Sequence, residues 1–362
     1  MTTRKVLILS GRFGKGHDTV AEATAAALAP LDVECLILDA VALLGRSGSA
    51  AGDRIFRTLL SVPAVYDSLH FSQLRTGGRL ARWMERAAVN SMYPRFLDEV
   101  RRFPPDLIVS VFATGAGAAA RYKAQHPSTV TAVFITDSYA HRLWVHEGTD
   151  IFLTTSALGA RSVQGFLPRA RVEVVTHPTR PMFYAAPDKA VARAALGVPA
   201  DARCVLLMSG AWGIGPLAEC AAGLARAGIW VLAVGGSNEE LGRRLRAVAS
   251  ADPRVVPFGF TDRVPELMAA SDAVITSSGD TCREARVVGR GLILLDVVPG
   301  HGRENLMHEL ELGAAVVSTT DPQTLVAAAE AFLDDPPTVP PVQSPDRWEH
   351  ELRAALASVG FD

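Results

Sequence analysis

Cysteine is scarce in this sequence, and the cysteines are not paired. The chain has 362 residues and four scattered cysteines, Cys35, Cys204, Cys220 and Cys282. Without paired spacing, a disulfide framework or a zinc site is not expected. We expect buried, reduced thiols instead.

Strong net charge and long apolar runs are also absent. The formal net charge is −2, so no global field draws the chain to nucleic acid, and we expect no such partner. No stretch is long and apolar enough to span a bilayer, and the apolar run at residues 6–9 is too short for a secretory signal. We therefore expect a cytoplasmic protein, either free or peripheral at the inner face of the cell membrane.

Short apolar runs alternate with helical patterns along the whole chain. Continuously apolar strands of this length are typical of parallel sheets that are covered on both faces, and the intervening helices indicate a doubly wound α/β fold. The predicted strands are residues 6–9, 34–38, 107–111, 132–135, 172–175, 205–208, 229–234, 255–257, 273–275, 292–295 and 314–317.

Two proline-rich stretches interrupt this alternation. The first contains Pro178 and Pro181 and ends near Pro187, and the second covers residues 334–345. They predict two Rossmann-like domains, residues 1–180 and 188–335, and a terminal helix at 346–358 that packs back on the first domain. Since ligands bind at the carboxyl ends of parallel strands, the site is expected in a cleft between the domains.

The loop after the first strand contains three glycines and a histidine. Gly14 and Gly16 let a ligand approach the backbone at a helix start, and His17 is placed to take a proton from a hydroxyl. The spacing matches neither a Walker A loop nor a dinucleotide fingerprint. The alternative is an ordinary strand-to-helix turn.

A second polar loop follows the strand at 132–135. Asp137 could orient His17 or hold an acceptor hydroxyl, and His141 follows four residues later in the same loop. The histidines and aspartates of this loop match no common metal-ligand spacing. The alternative for every residue but Asp137 is a polar loop packed over Trp144.

Three loops of the second domain combine small, hydroxyl and charged residues after strands. Such loops suit a diphosphate at helix N-termini, and a glutamate one turn inside a helix suits ribose hydroxyls. The alternatives are a well-capped helix and solvated polar loops. The residues singled out are Gly210, Trp212 and Gly213 in the third loop, Ser278, Gly279, Asp280, Thr281 and Glu284 in the fourth, and Gly300, His301, Arg303, Glu304 and Asn305 in the fifth.

Taken in order, these motifs resemble those of the family that contains monogalactosyldiacylglycerol synthase and processive diacylglycerol glucosyltransferases, and more distantly the lipid II-forming GlcNAc transferase. The resemblance covers nearly the whole chain. It rests on the motifs at residues 14–17, 136–137 with His141, Trp144 and Asp150, 178–181, 259–260 with 266–268, 278–284, and 299–300 with 304–305.

The resemblance implies a GT-B fold, a UDP-sugar donor bound by the second domain, inversion at the anomeric carbon and a lipid acceptor bound by the first domain. His17 then matches the proposed base, Glu284 the ribose-binding glutamate, Asn305 a donor-loop position, and Phe260 to Val264 a uracil pocket. No metal or other cofactor is required.

The chain departs from the family at the donor loop. Gly300-His301-Gly302 stands where relatives commonly have Gly-Gln-Glu, whose side chains touch the donor sugar. The phosphate loop carries Ser277 and Ser278 in place of the usual lysine and glycine. The identity of the transferred hexose is therefore left open.

Residues 54–93 mix arginines with bulky apolar residues, which suits an anionic membrane surface. The alternative is an amphipathic helix with a solvated arginine face. The residues are Arg54, Arg57, Arg75, Arg79, Arg82 and Arg86 with Phe56, Leu59, Leu60, Phe71, Leu80, Trp83 and Met84.

The sequence thus predicts an inverting glycosyltransferase that moves a hexose from a UDP-sugar to a hydroxyl of a membrane lipid such as diacylglycerol. Three alternatives remain: a transferase acting on a soluble metabolite, a catalytically weak nucleotide-sugar-binding protein, and a UDP-sugar epimerase, which shares the architecture.

Overall fold

The computed structural model describes residues 3–11, 16–45, 63–208, 216–340 and 344–362. The chain divides into two compact units. Unit 1 comprises Met1–Pro178 and Ser344–Asp362, and unit 2 comprises Thr179–Gln343. Unit 2 is therefore inserted in the chain between two parts of unit 1.

Unit 1 contains a six-stranded parallel sheet in the order β2-β1-β3-β4-β5-β6. Its strands are β1 (Arg4–Ser10), β2 (Val33–Asp39), β3 (Leu107–Ser110), β4 (Val130–Phe134), β5 (Ile151–Thr154) and β6 (Val172–Val174). Its helices are α1 (Gly16–Leu28), α2 (Pro63–Leu69), α3 (Arg79–Arg102), α4 (Ala113–Lys123), α5 (Ala157–Phe166) and, after unit 2, α14 (Asp346–Ala357). Short 3-10 turns lie at Ala29–Leu31, Ala42–Leu44 and Arg142–Trp144, and a π-helical turn at His70–Leu74.

The two faces of this sheet bury alternate residues of β1. Val6 and Ile8 pack into one core with α1 and α14, and Leu7 and Leu9 pack into another with α3 and α4. All four side chains have no exposed surface. A strand that is covered on both faces has no polar side, which explains the unbroken apolar run in the sequence.

The terminal helix α14 belongs to the core of unit 1. Trp348, Leu352 and Leu356 are buried in the same cluster as Val6 and Ile8. Glu351 accepts a hydrogen bond from the backbone N–H of Thr176, at the end of the N-terminal part of the unit. The helix is thus fixed to unit 1 by packing and by a charge-assisted hydrogen bond.

Unit 2 contains a second six-stranded parallel sheet, in the order β12-β11-β10-β7-β8-β9. Its strands are β7 (Cys204–Met208), β8 (Trp230–Val234), β9 (Val255–Phe258), β10 (Ala273–Thr276), β11 (Gly291–Leu295) and β12 (Ala315–Ser318). Its helices are α6 (Pro181–Tyr184), α7 (Lys189–Leu196), α8 (Leu217–Arg226), α9 (Glu239–Ala251), α10 (Val264–Ala270), α11 (Asp280–Val287), α12 (His301–Glu311) and α13 (Pro322–Asp334).

The predicted α/β fold with two parallel sheets is confirmed, with one strand missed. The missed strand is β5, a buried four-residue run directly after the second polar loop. The four cysteines are free, as predicted; Cys204, Cys220 and Cys282 are buried, and Cys35 is half-buried. Within the described ranges, no helix combines the length and apolar character needed to cross a membrane.

Candidate active site

The carboxyl ends of β1, β3 and β4 form the edge of unit 1 that carries the predicted catalytic residues. The parallel register pairs Leu9 with Ser110 and Ser110 with Val133. The segments that follow these strands therefore begin side by side. This edge is where ligands of doubly wound folds bind.

His17 lies in the first turn of α1, and a main-chain carbonyl fixes its ring. Its Nδ1 is 2.8 Å from the carbonyl oxygen of Val111, directly after β3. Because a carbonyl oxygen can only accept, Nδ1 carries the proton of the neutral ring and Nε2 carries the lone pair. His17 is thus oriented as a base at Nε2, which has no hydrogen-bond partner within the described residues.

The ring of Phe112 packs edge-to-face on His17, with ring centroids 5.2 Å apart. Gly11, which follows β1, makes room for Phe112. A Cβ at Gly11 would lie 2.5 Å from the Phe112 ring, closer than real contacts allow. The glycine is therefore required by the ring that packs on His17.

Asp137 follows β4 and is engaged by its own loop. Its Oδ2 accepts a 2.8 Å hydrogen bond from the indole N–H of Trp144 and lies 3.6 Å from Nε2 of His141. The backbone N–H of Leu143 donates to His141 Nδ1, so Nε2 carries the proton. These bonds hold the loop together, and the carbonyl of Val111 rather than Asp137 is the observed partner of His17 Nδ1.

Asp150, which the sequence grouped with this loop, lies at the opposite edge of the sheet. Its carboxylate accepts from the backbone N–H of Thr131, near the start of β4, and from Lys123. It therefore ties β5 to β4 and α4. Among the described residues, no group of three or more His, Cys, Asp or Glu side chains is arranged to hold a metal ion.

Two helices of unit 2 begin at the carboxyl ends of the neighbouring strands β10 and β11. Helix α11 is preceded by Gly279 and α12 by Gly300, and neither glycine supplies a side-chain cap. The dipoles of the two helices favour an anion at these starts.

The two loops before these helices are tied together. The Ser278 hydroxyl donates a 2.6 Å hydrogen bond to the carbonyl of Gly302. A Cβ at Gly302 would lie 2.4 Å from Cγ1 of Val298, so the position accepts only glycine unless Val298 moves. The departure from the family motif at Gly302 therefore has a packing cause.

Glu284 is buried on α11, and its partner is an arginine to which the sequence assigned no role. Arg180 donates from Nε and Nη2 to Oε1 of Glu284, at 3.1 and 2.8 Å. Burial raises the pKa of the Glu284 carboxyl above its ordinary value, and the Arg180 charge opposes this.

The remaining predicted residues of unit 2 are placed as follows. Asp280 pairs with Arg283 at 2.9 Å, and Arg303 with Asp296 at 3.3 Å. Thr281 is half-buried in the first turn of α11, as are His301, Glu304 and Asn305 at the start of α12. Phe260 is exposed before α10, and Val264 is the buried first residue of that helix. Of the predicted residues in the first loop of unit 1, Gly16 is the first residue of α1. Gly14 of the same loop lies outside the described residues, as do Gly210, Trp212 and Gly213 of unit 2.

Sequence reasoning missed the carbonyl of Val111, Arg180 and the fit of Gly302 to Val298. A main-chain carbonyl has no side-chain signal, and a close approach of a glycine to another loop depends on the fold. Arg180 did have a signal, because it stands between two prolines in a motif that resembles the family.

Comparison with known proteins agrees with the resemblance read from the motifs. Residues 17–174 match the family model of monogalactosyldiacylglycerol (MGDG) synthase. The chain is 24% identical over 354 residues to a processive diacylglycerol beta-glucosyltransferase of Bacillus pumilus, covering 92% of this chain and 88% of the relative. It is 27% identical over 350 residues to a probable chloroplastic monogalactosyldiacylglycerol synthase of Glycine max, covering 91% of this chain and 65% of the relative.

Solved structures support the fold. MurG of Acinetobacter baumannii superposes with a TM-score of 0.59 at 13% identity, covering 98% of this chain and 95% of MurG. A putative UDP-N-acetylglucosamine 2-epimerase of Listeria monocytogenes superposes with a TM-score of 0.63 at 12% identity, covering 99% and 96%. Likeness at this identity shows the GT-B fold, which transferases and epimerases share.

The relatives found by sequence indicate the reaction class, because transferases and epimerases share the fold. The relatives named above are a glucosyltransferase and a galactolipid synthase. The predicted resemblance is thus confirmed: the chain is related to the monogalactosyldiacylglycerol synthases and processive diacylglycerol glucosyltransferases, and it is a hexosyltransferase.

Proposed function

We propose that this hexosyltransferase moves a sugar from UDP to a hydroxyl of a membrane lipid, with inversion at the anomeric carbon. The observation that carries the proposal is the orientation of His17, whose Nδ1 donates to the Val111 carbonyl and whose Nε2 holds the lone pair. A base with this orientation can remove a proton from an acceptor hydroxyl as the oxygen attacks.

The reaction is a single displacement. The acceptor O–H gives its proton to Nε2 of His17, and the oxygen forms a bond to the anomeric carbon. The bond from that carbon to the diphosphate breaks, and UDP leaves with the electron pair. One attack from the face opposite the leaving group inverts the configuration.

The charge that develops on the leaving diphosphate is met by the starts of α11 and α12. Both helices begin after a glycine N-cap, and the positive end of each helix dipole lies at this position. Ser278 holds the two loops in one arrangement through its bond to Gly302. Donors fixed in place before the reaction stabilise the leaving group without reorganising, and no metal is needed for this step.

The lipid acceptor is supported by an exposed face of α3. Trp83 is 66% exposed and Leu80 45% exposed, and Val65 on α2 is 53% exposed. Arg79, Arg82 and Arg86 are also exposed on α3. Tryptophan beside arginine suits the interface of an anionic bilayer, where each cation contributes about 1 kcal/mol.

Replacement of His17 tests the transferase. We expect His17→Ala to lower the transfer rate by about 10²- to 10⁴-fold because the base is removed, with UDP affinity nearly unchanged in calorimetry. His350→Ala, on the exposed face of α14, is the matched control. Comparable turnover in His17→Ala would disprove the base assignment, and absence of transfer or hydrolysis of any UDP-sugar by the native protein would favour a binding protein.

Vesicle flotation tests the acceptor class. We expect binding to phosphatidylcholine vesicles that contain phosphatidylglycerol, weaker binding to phosphatidylcholine alone, and weaker binding of Trp83→Ser than of the native chain. Five of the predicted surface residues, Arg54, Phe56, Arg57, Leu59 and Leu60, lie outside the described residues. Failure of the native chain to float with anionic vesicles would favour a soluble acceptor.

A further inference from the structure

Glu284 is a buried carboxylate with one oxygen occupied. Only 8% of the residue is exposed, in the second turn of α11. Both donors of Arg180 reach the same oxygen, Oε1. Within the described residues, no hydrogen bond is made to Oε2, so this oxygen is left to accept from a ligand.

Arg180 is itself held in place. It directly precedes α6, which begins at Pro181, and its guanidinium lies over the ring of Phe183, 4.9 Å from the centroid. Phe183 is 1% exposed and belongs to the core of unit 2. The arginine is thus fixed by a buried aromatic ring on one side and by the carboxylate on the other.

The arginine also keeps the carboxylate charged. Burial raises the pKa of Glu284, and the nearby Asp280 charge raises it further, whereas Arg180 lowers it by its charge and its hydrogen bonds. Without the arginine, the pKa of Glu284 would be raised further. A protonated carboxyl accepts hydrogen bonds from hydroxyl groups less well than a carboxylate.

We propose that Arg180 is a positioning residue for nucleotide binding, which holds Glu284 by Oε1 so that Oε2 accepts from the neighbouring hydroxyls of a ribose. The proposal rests on the proposed function, because it takes UDP as the ligand of unit 2. Arg180 acts through Glu284, and its effect therefore depends on the presence of the ribose hydroxyls.

Calorimetry with UDP and 2′-deoxy-UDP on the full chain tests this role. We expect Arg180→Met and Glu284→Gln each to weaken UDP binding by about tenfold and to reduce the preference for UDP over the deoxy form. The double variant should bind no more weakly than Glu284→Gln alone, because both changes remove one interaction. Arg254→Met, which breaks a half-exposed pair with Asp252 elsewhere in unit 2, is the control and should bind as the native chain does.

The pH dependence separates positioning from a structural role. As the pH is lowered, UDP affinity should begin to fall at a higher pH in Arg180→Met than in the native chain, because loss of the arginine raises the pKa of Glu284 further. Arg180→Lys keeps the positive charge but lacks the paired N–H donors of the guanidinium group. It should therefore restore the native pH dependence and only part of the UDP affinity.

The outcomes are distinguishable. If the native chain does not bind UDP, the proposed function fails. If the native chain binds UDP and Arg180→Met or Arg180→Lys lowers only the Tm, with the native preference for ribose and the native pH dependence, the positioning role is overturned and the proposed function stands.

Discussion

The two units hold their functional side chains by different means. In unit 1 a main-chain carbonyl, that of Val111, orients the ring of His17. In unit 2 a side chain, that of Arg180, orients the carboxylate of Glu284. The first arrangement cannot be removed by one substitution at the partner, whereas the second can. The tautomer of the proposed base is thus protected against substitution of its partner, whereas the orientation of the proposed nucleotide-binding carboxylate can be changed by a single substitution.

Among substitutions that act through the packing around a functional residue, the largest expected effect comes from Gly11 in unit 1. In Gly11→Val the new side chain would displace the Phe112 ring, which packs on His17. We expect transfer to fall by about 10²-fold, because small misplacement of a catalytic group is costly, and the unfolding free energy to fall by about 1–3 kcal/mol. Rate assays and denaturant unfolding measure the two effects.

Gly165→Ala is the matched control for this change. Gly165 lies in α5 with nothing near its missing Cβ, so alanine should leave transfer unchanged and stabilise the helix by up to about 1 kcal/mol. Equal rates for Gly11→Val and the native chain would show that the packing of Phe112 does not position His17.

The role of Asp137 provides the next test. Because its Oδ2 accepts from Trp144, we expect Asp137→Ala and Trp144→Phe each to destabilise the chain by about 1–3 kcal/mol, with a double variant that is less than additive. The loss of rate should be smaller than for His17→Ala. A rate loss as large as that of His17→Ala without destabilisation would instead assign Asp137 to the chemistry.

Gly302 tests the corresponding contact in unit 2. We expect Gly302→Ala to weaken UDP binding and to lower the unfolding free energy by about 1–3 kcal/mol, because its Cβ meets Val298. Both Cγ1 and Cβ of Val298 lie within 2.5 Å of the added Cβ, so Val298→Gly should relieve this contact in the double variant. If the double variant is as weak as Gly302→Ala, steric conflict with Val298 is not the reason for the glycine.

The smallest expected effect is a change in the rate of cysteine labelling, which compares the accessibility of thiols in the two units. Burial raises the pKa of Cys204 to about 12 and of Cys220 to about 11, and also raises that of Cys282, so these thiols of unit 2 stay protonated at neutral pH. Half-buried Cys35 of unit 1 should react first with a disulfide reagent. Saturating UDP should slow labelling of Cys282 but not of Cys35, because the ligand stabilises unit 2. Equal slowing of both thiols would contradict the expectation that UDP stabilises unit 2 alone.

The fold was predictable where one physical rule dominates. Buried parallel strands must be apolar on both faces, so the runs at β1 and β7 identify themselves. The four-residue run of β5 directly follows a polar loop that ends at Asp150, and nothing in the local pattern separates the strand from that loop.

The site was predictable in part, because residue types report chemistry but not partners. The residue types and positions of His17 and Glu284 predict a base and a hydrogen-bond acceptor, and both roles stay predictions. Their partners, Val111 and Arg180, depend on which strands and loops the fold brings together. The prediction that the two sites face each other across a cleft stays a prediction.

The insertion of unit 2 within unit 1 has a consequence for synthesis on the ribosome. Residues 344–362 supply Trp348, Leu352 and Leu356 to the core that contains Val6 and Ile8. Part of the apolar surface of the first strands therefore stays uncovered until residues 344–362 have been synthesised. Unit 2 is complete in sequence before unit 1 and can fold first. The nascent N-terminal half is thus the part of the chain with the greatest need for a chaperone.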